Sequence, residues 1–296
     1  MNVLTIEQFM ETRAHVVESR LNELVTDTSS SYRSLLQAAR YSLLGGGKRI
    51  RPLLLLATVE TLGGDYRGSI DVACALEIIH TYSLIHDDLP CMDNDDLRRG
   101  RPTLHKAFSD AHAVLAGDYL LTRAFGVIAE DSRLTDMQKV KLTALFSKLA
   151  GSEGMIGGQV IDLEAVDKIP TASLLEEMCN LKTGALIRAA VSAGALLCNA
   201  NPATEHLLED YSRCLGFAFQ IVDDILDITS TTEEIGKPAH SDEHNGKTTY
   251  ALVVGVDKAK EKAVSLIEEA LKALDEIKTH TSLLHELAYY CIARTK

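Results

Sequence analysis

The chain has 296 residues, 46% of them hydrophobic and 24% charged, with a net charge of −12. That composition is globular rather than disordered, and it offers no broad basic face for phosphate backbones, which argues against nucleic-acid binding. The six cysteines form no C-x-x-C pair, so neither a zinc knuckle nor a disulfide framework is expected, and reduced thiols point to a cytoplasmic protein.

Taken in chain order, residues 1–20 alternate apolar and charged positions and lack the core of a signal peptide. Apolar residues then recur at three- and four-residue spacing, as in "SLLQAARYSLL" and "DVACALEIIHTYSLIH", which predicts helices. Between those two, "GGGKRIRP" reads as a helix end, a turn and a new helix near Pro52. Lys48, Arg49 and Arg51 then sit at a helix N-terminus, a place suited to a diphosphate, although the P-loop spacing is missing. Further helices are punctuated by "GSEGMIGG", "VDKIPT" and "NANPAT", and a polar stretch follows from residue 229. The expectation is one all-α domain over 1–296, a bundle of roughly ten to twelve helices. The runs "PLLLLATV" and "GALIRAAVSAGALLCNA" are too short, or carry Arg188, so no membrane span is expected.

Two acidic clusters stand out. In "FQIVDDILDI", Asp223 and Asp227 are four apart and share a helix face, with Asp224 at their flank, inside an otherwise apolar run. Buried carboxylates need a partner: a divalent cation, or alternatively a core salt bridge. In "LIHDDLPCMDNDDLRRGRP", Asp87 and Asp93 are six apart, on nearly opposite faces of an ideal helix. Pro90 predicts a bulge or an early helix end, and looping out two residues restores the same D-D-x-x-D spacing. Oxygen-only ligands favour Mg²⁺. Arg98, Arg99 and Arg101 follow at once, and His80 lies two turns before Asp87 on nearly the same face. Three other metal readings are weaker. The EF-hand spacing fails at Leu97 and Arg98. The H-x-x-E-H pattern His240–His244, which would make a zinc hydrolase, sits in a polar loop. Glu77–His80 is a lone E-x-x-H step of the di-iron kind.

From about residue 35 onward the chain resembles the short-chain trans-prenyltransferases, the polyprenyl diphosphate synthases, and most closely the bacterial farnesyl diphosphate synthases. The resemblance rests on "GGGKRIRP", "IHTYSLIHDDLPCMDNDDLRRGRPT", "VLAGDYLL", "GMIGGQVIDL", "KTGALI", "GFAFQIVDDILD" and "GKTTY", in family order. It implies an isoprenoid-synthase bundle around a central cleft, working as a homodimer. Asp87, Asp88 and Asp93 would be the first aspartate-rich motif, in the form with two extra residues, and Asp223, Asp224 and Asp227 the second. Mg²⁺ would be held by Asp87, Asp88, Asp93, Asp223 and Asp227. Arg98, Lys182, Thr183, Gln220 and Lys237 match positions contacting an allylic diphosphate, either dimethylallyl or geranyl. Lys48, Arg51, His80 and Arg99 match those holding isopentenyl diphosphate. Lys247 would help when the loop 230–248 closes. Tyr82, with Ser83 beside it, would floor the pocket and stop growth at farnesyl diphosphate. Geranylgeranyl diphosphate synthases share the first motif and remain the alternative, and a non-catalytic partner subunit is the reading from another class.

Overall fold

The predicted punctuation falls at the helix ends because those residues satisfy backbone groups that the helices leave open. Thr5 and Thr135 close capping boxes with Gln8 and Gln138, and the Thr171 side chain accepts from the Leu174 N–H after "KIPT". Asn201 accepts from the Thr204 N–H at 3.0 Å, with Pro202 as the first helical residue. The computed structural model describes residues 5–26, 29–166, 168, 170–229 and 247–293.

Within those residues the order is α1 (Ile6–Leu24), α2 (Arg33–Leu43), α3 (Ile50–Thr61), a 3₁₀ turn (Tyr66–Ser69) and α4 (Ile70–Asp87). A two-stranded hairpin follows, β1 (Leu97–Arg98) with β2 (Arg101–Pro102), then α5 (Leu104–Ala107), α6 (Asp110–Glu130), α7 (Asp136–Ala150) and α8 (Met155–Ala165). The chain continues through α9 (Ala172–Lys182), α10 (Gly184–Leu197), α11 (Pro202–Thr229), α12 (Tyr250–Val254), α13 (Val256–Asp275) and α14 (Ser282–Ala293). The fold is therefore all-α. Among the described residues the hairpin is the one departure, made possible by positive φ at both central residues, Arg99 (54°) and Gly100 (72°).

One connected set of buried apolar side chains runs from Phe9 of α1 to Cys291 of α14. At its centre α4 packs against α6, α11 against α13, and α10 against both α3 and α11. An apolar run longer than the two named above, Tyr66–Asp87, has the length and hydropathy to cross a membrane. Its most apolar window is 72% buried here, so its apolar character is that of a core helix. All six cysteines are free thiols.

Candidate active site

A cleft of about 1110 Å³ opens among α3, α4, α8, α9 and α11 and the first hairpin strand. Its basic end forms where two left-handed turns meet. After α2 the chain passes Gly46 (φ 85°) and Gly47 (φ 128°), and Arg49 (φ 54°) precedes α3. Arg49 is only 2% exposed, and its guanidinium donates to Glu77 Oε1 and to the Leu43 carbonyl, each at 2.8 Å. The hairpin brings Arg99 onto this loop, where it donates to the Gly46 carbonyl. A Cβ on Gly47 would lie 2.5 Å from Arg99 Cζ, so the stacking needs glycine. Lys48 and Arg51 line the same end, and Arg51 Nη1 is 3.3 Å from His80 Nε2. Burial, then Arg51, Arg99, Arg98 and Arg49, hold the His80 pKa well below its usual range, so the ring is neutral and accepts from Arg51. The E-x-x-H step thus holds arginines: Glu77 takes Arg49 and His80 takes Arg51.

The first acid cluster is looped as the proline predicts. α4 ends at Asp87, and the Asp93 N–H donates to the Asp87 carbonyl at 2.9 Å, the bond a residue four further on would make in an unbroken helix. Asp87 and Asp93 accordingly face the cleft together. Asp88 does not line that cleft. Having just passed the helix end, it lines an adjoining recess of about 40 Å³ that shares Gly45, Leu84, Arg98 and Arg99 with the cleft. There Arg98 Nη2 lies 2.6 Å from Asp88 Oδ1, and Arg98 Nε reaches the same oxygen at 2.7 Å. Burial raises the Asp88 carboxyl to about 6, with Arg98 opposing and Asp95 and Asp87 adding.

Across the cleft α11 presents Asp223 and Asp227 on one face. Asp224 is not on the cleft lining, as its flank position implies. It accepts from Gln220 Nε2 at 2.8 Å and from the Tyr250 N–H at 3.1 Å. The Thr183 hydroxyl donates to the Gln220 side-chain oxygen Oε1, so one chain of hydrogen bonds joins the start of α10, α11 and α12. Thr183 and Gln220 both line the cleft.

Beside the first acid cluster lies a carboxylate that spacing did not single out, Asp162 of α8. Its Oδ2 takes Lys182 Nζ at 2.6 Å and Lys247 Nζ at 3.1 Å. Those ammonium groups continue to the first motif: Lys182 is 3.8 Å from Asp87 and Lys247 is 2.6 Å from Asp93. Gln159, one turn before Asp162, donates to Asp87. Burial pushes the Asp162 carboxyl up, but the two lysines more than offset it and hold it below the usual range. Burial also raises Asp93, with Asp87 adding to the effect. Lys247 is held above its usual value, because Asp162 and Asp93 outweigh burial. The signal for Asp162 was present in "GGQVID", three residues after a glutamine on one helix face. Nothing in the letters says what that face meets.

The remaining wall is apolar: Ile156, Val160 and Leu163 of α8 and Phe219 and Leu226 of α11, with Tyr82 and Ser83 of α4 also on the lining. Tyr82, five residues before Asp87 on α4, shares the cleft with it. Lys237 and His240–His244 lie outside the described residues. The donor chemistry suits a hard divalent cation, because carboxylate oxygens approach from both sides. Among the described residues no three acidic, histidine or cysteine groups close into a chelate. Such a set suits an ion that keeps waters and takes further oxygens from a diphosphate.

Residues 32–287 match the sequence model of the polyprenyl synthetase family. The farnesyl diphosphate synthase of Geobacillus stearothermophilus is 46% identical over 293 residues, covering 98% of this chain and 97% of that protein. The chloroplastic geranylgeranyl pyrophosphate synthase of Capsicum annuum is 46% identical over 241 residues, covering 81% of this chain and 65% of that one. Among solved structures, a geranyltransferase from Helicobacter pylori complexed with magnesium and isoprenyl diphosphate superposes with a TM-score of 0.87. It is 32% identical, covering 99% of this chain and 98% of that chain.

Proposed function

The chain belongs to the polyprenyl synthetase family, and on that premise we propose that it condenses isopentenyl diphosphate with dimethylallyl and then geranyl diphosphate, as a (2E,6E)-farnesyl diphosphate synthase. The observation that carries this reading is the pairing of two acid faces, Asp87 with Asp93 and Asp223 with Asp227, across one cleft with a basic end and an apolar wall. The farnesyl-forming relative matches nearly end to end, whereas the geranylgeranyl-forming one covers less of both chains, which favours the fifteen-carbon product.

In this reading Asp87, Asp93, Asp223 and Asp227 are the residues that would hold Mg²⁺ for the allylic diphosphate. Bound Mg²⁺ supplies Lewis-acid stabilisation of the diphosphate as a leaving group. Lys182, Thr183, Gln220 and Arg98 bind the same group, and the cationic side chains offset the charge that builds as the allylic C–O bond ionises. Lys48, Arg51, Arg99 and neutral His80 bind isopentenyl diphosphate so that its double bond attacks the allylic carbon. A proton then leaves the adjacent carbon for the departing diphosphate. The apolar wall keeps water from the carbocation, which would otherwise be quenched to an alcohol. Asp162 holds Lys182 and Lys247 against Asp87 and Asp93, and Tyr82 bounds the pocket. Exposed Leu115, Met137 and Val140 on α6 and α7 support a homodimer, and the free thiols support a cytoplasmic setting.

The test is to mix the purified protein with isopentenyl and dimethylallyl diphosphates, with Mg²⁺ or with EDTA, and to size the products. A Mg²⁺-dependent fifteen-carbon product is expected, and Tyr82→Ala should lengthen it. A twenty-carbon product would keep the chemistry and reject the farnesyl assignment. No product from dimethylallyl or geranyl starters would overturn the reading.

A further inference from the structure

One histidine on the cleft, His86, has no part in the chemistry above. It lies one turn after Tyr82 on α4, and its ring meets that of Tyr82 edge-on, with centroids 5.8 Å apart at 81°. The Tyr82 hydroxyl is buried and makes no hydrogen bond, so packing rather than a polar partner holds that ring in place. His86 is itself seated on α6: Nε2 is 3.1 Å from the Val114 carbonyl, and the imidazole covers Gly117. A Cβ at Gly117 would lie 2.1 Å from His86 Nε2 and 2.5 Å from Cδ2. The seat exists only because residue 117 has no side chain. Any larger residue there displaces the imidazole from α6, and both the cleft and the Tyr82 ring adjoin it.

We propose that His86, seated on Gly117 of α6, is a second determinant of product length, acting through the position of Tyr82. The inference rests on the prenyl-elongating function proposed above. Its chemistry is steric: the channel for the growing isoprenoid tail is as deep as the Tyr82 ring allows, and the His86 seat sets where that ring stands.

Product lengths from wild type, His86→Ala, Gly117→Ala and the double variant test it, each confirmed folded by circular dichroism. His86→Ala is expected to move a substantial fraction of product from fifteen to twenty carbons. Gly117→Ala should raise the ten-carbon fraction severalfold, and that shift should vanish in the double variant, because no ring remains to be displaced. A wild-type length distribution from His86→Ala would overturn the proposal, as would a Gly117→Ala shift that persists without His86. If Gly117→Ala fails to fold, the His86→Ala distribution decides alone. Absence of product from wild type would instead reject the underlying function.

Discussion

Asp87 and Asp88 are adjacent, yet one faces the cleft and the other faces an arginine. Asp88 is only 4% exposed, and its carboxyl sits at about 6 against an ordinary value of 3.8, with burial the largest cause. The folded protein therefore holds a proton there that the unfolded chain has already lost. Between about pH 4 and pH 6 this group's contribution to stability falls as pH rises, and it levels off above that window. Urea unfolding should show wild type losing stability relative to Asp88→Asn across the window; a gap that does not move would reject burial as the control. Turnover of Asp88→Asn should stay within about tenfold of wild type, about 1.4 kcal/mol of barrier. The split between these neighbours was only half legible in the sequence. Pro90 announces the loop-out that joins Asp93 to Asp87, but which way Asp88 turns depends on Arg98 arriving from the hairpin. Asp162 was harder still, since a lone acid on a helix looks like solvated surface until two lysines meet it.

At the scale of elements, the close approach of α8 to the end of α9 places the lysine hub. A Cβ on Gly158 would lie 2.2 Å from the Lys182 backbone nitrogen and 2.6 Å from its Cα, and backbone cannot rotate aside. Gly158→Ala should therefore cost about 1–3 kcal/mol of stability and lower turnover by displacing Lys182. Unchanged stability in denaturant unfolding would contradict that packing. Far from the cleft, Asp71 of α4 accepts Arg20 Nε of α1 at 2.7 Å and lies 2.7 Å from Arg133 Nη2, just before α7. Burial pushes the Asp71 carboxyl up, but the two arginines more than offset it and hold it below its usual value. Its stabilisation is present above about pH 4 and is lost as pH falls through the depressed folded value. Because the arginine side chains are 36% and 41% exposed, Asp71→Asn should cost about 1–3 kcal/mol, less than a fully enclosed pair. Turnover should be unchanged, and a loss of activity without loss of stability would contradict a purely structural role. Helices and caps were readable from period and punctuation. This staple was not, because its partners lie 51 and 62 residues from Asp71 along the chain.

Over the whole molecule, an acidic chain gathers a local set of cations into one cleft, where an acidic substrate can be held. Arg49, Arg51, Arg98 and Arg99 gather at one end, while Asp87, Asp93, Asp223 and Asp227 also line the cleft, with Lys182 and Lys247 against the first pair. The two aspartate motifs were legible because carboxylates interrupting apolar helices are costly and call for a partner. That they face one another follows from α4 and α11 bordering the same cleft, which only the fold reveals. The most direct test of this account is steady-state turnover of Asp87→Ala and Asp223→Ala with isopentenyl and dimethylallyl diphosphates and Mg²⁺, alongside circular dichroism. Each variant should keep its helical signal while turnover falls at least about a hundredfold, or about 2.7 kcal/mol of barrier. Near-normal turnover in both would contradict the claim that the two acid faces act together on one diphosphate.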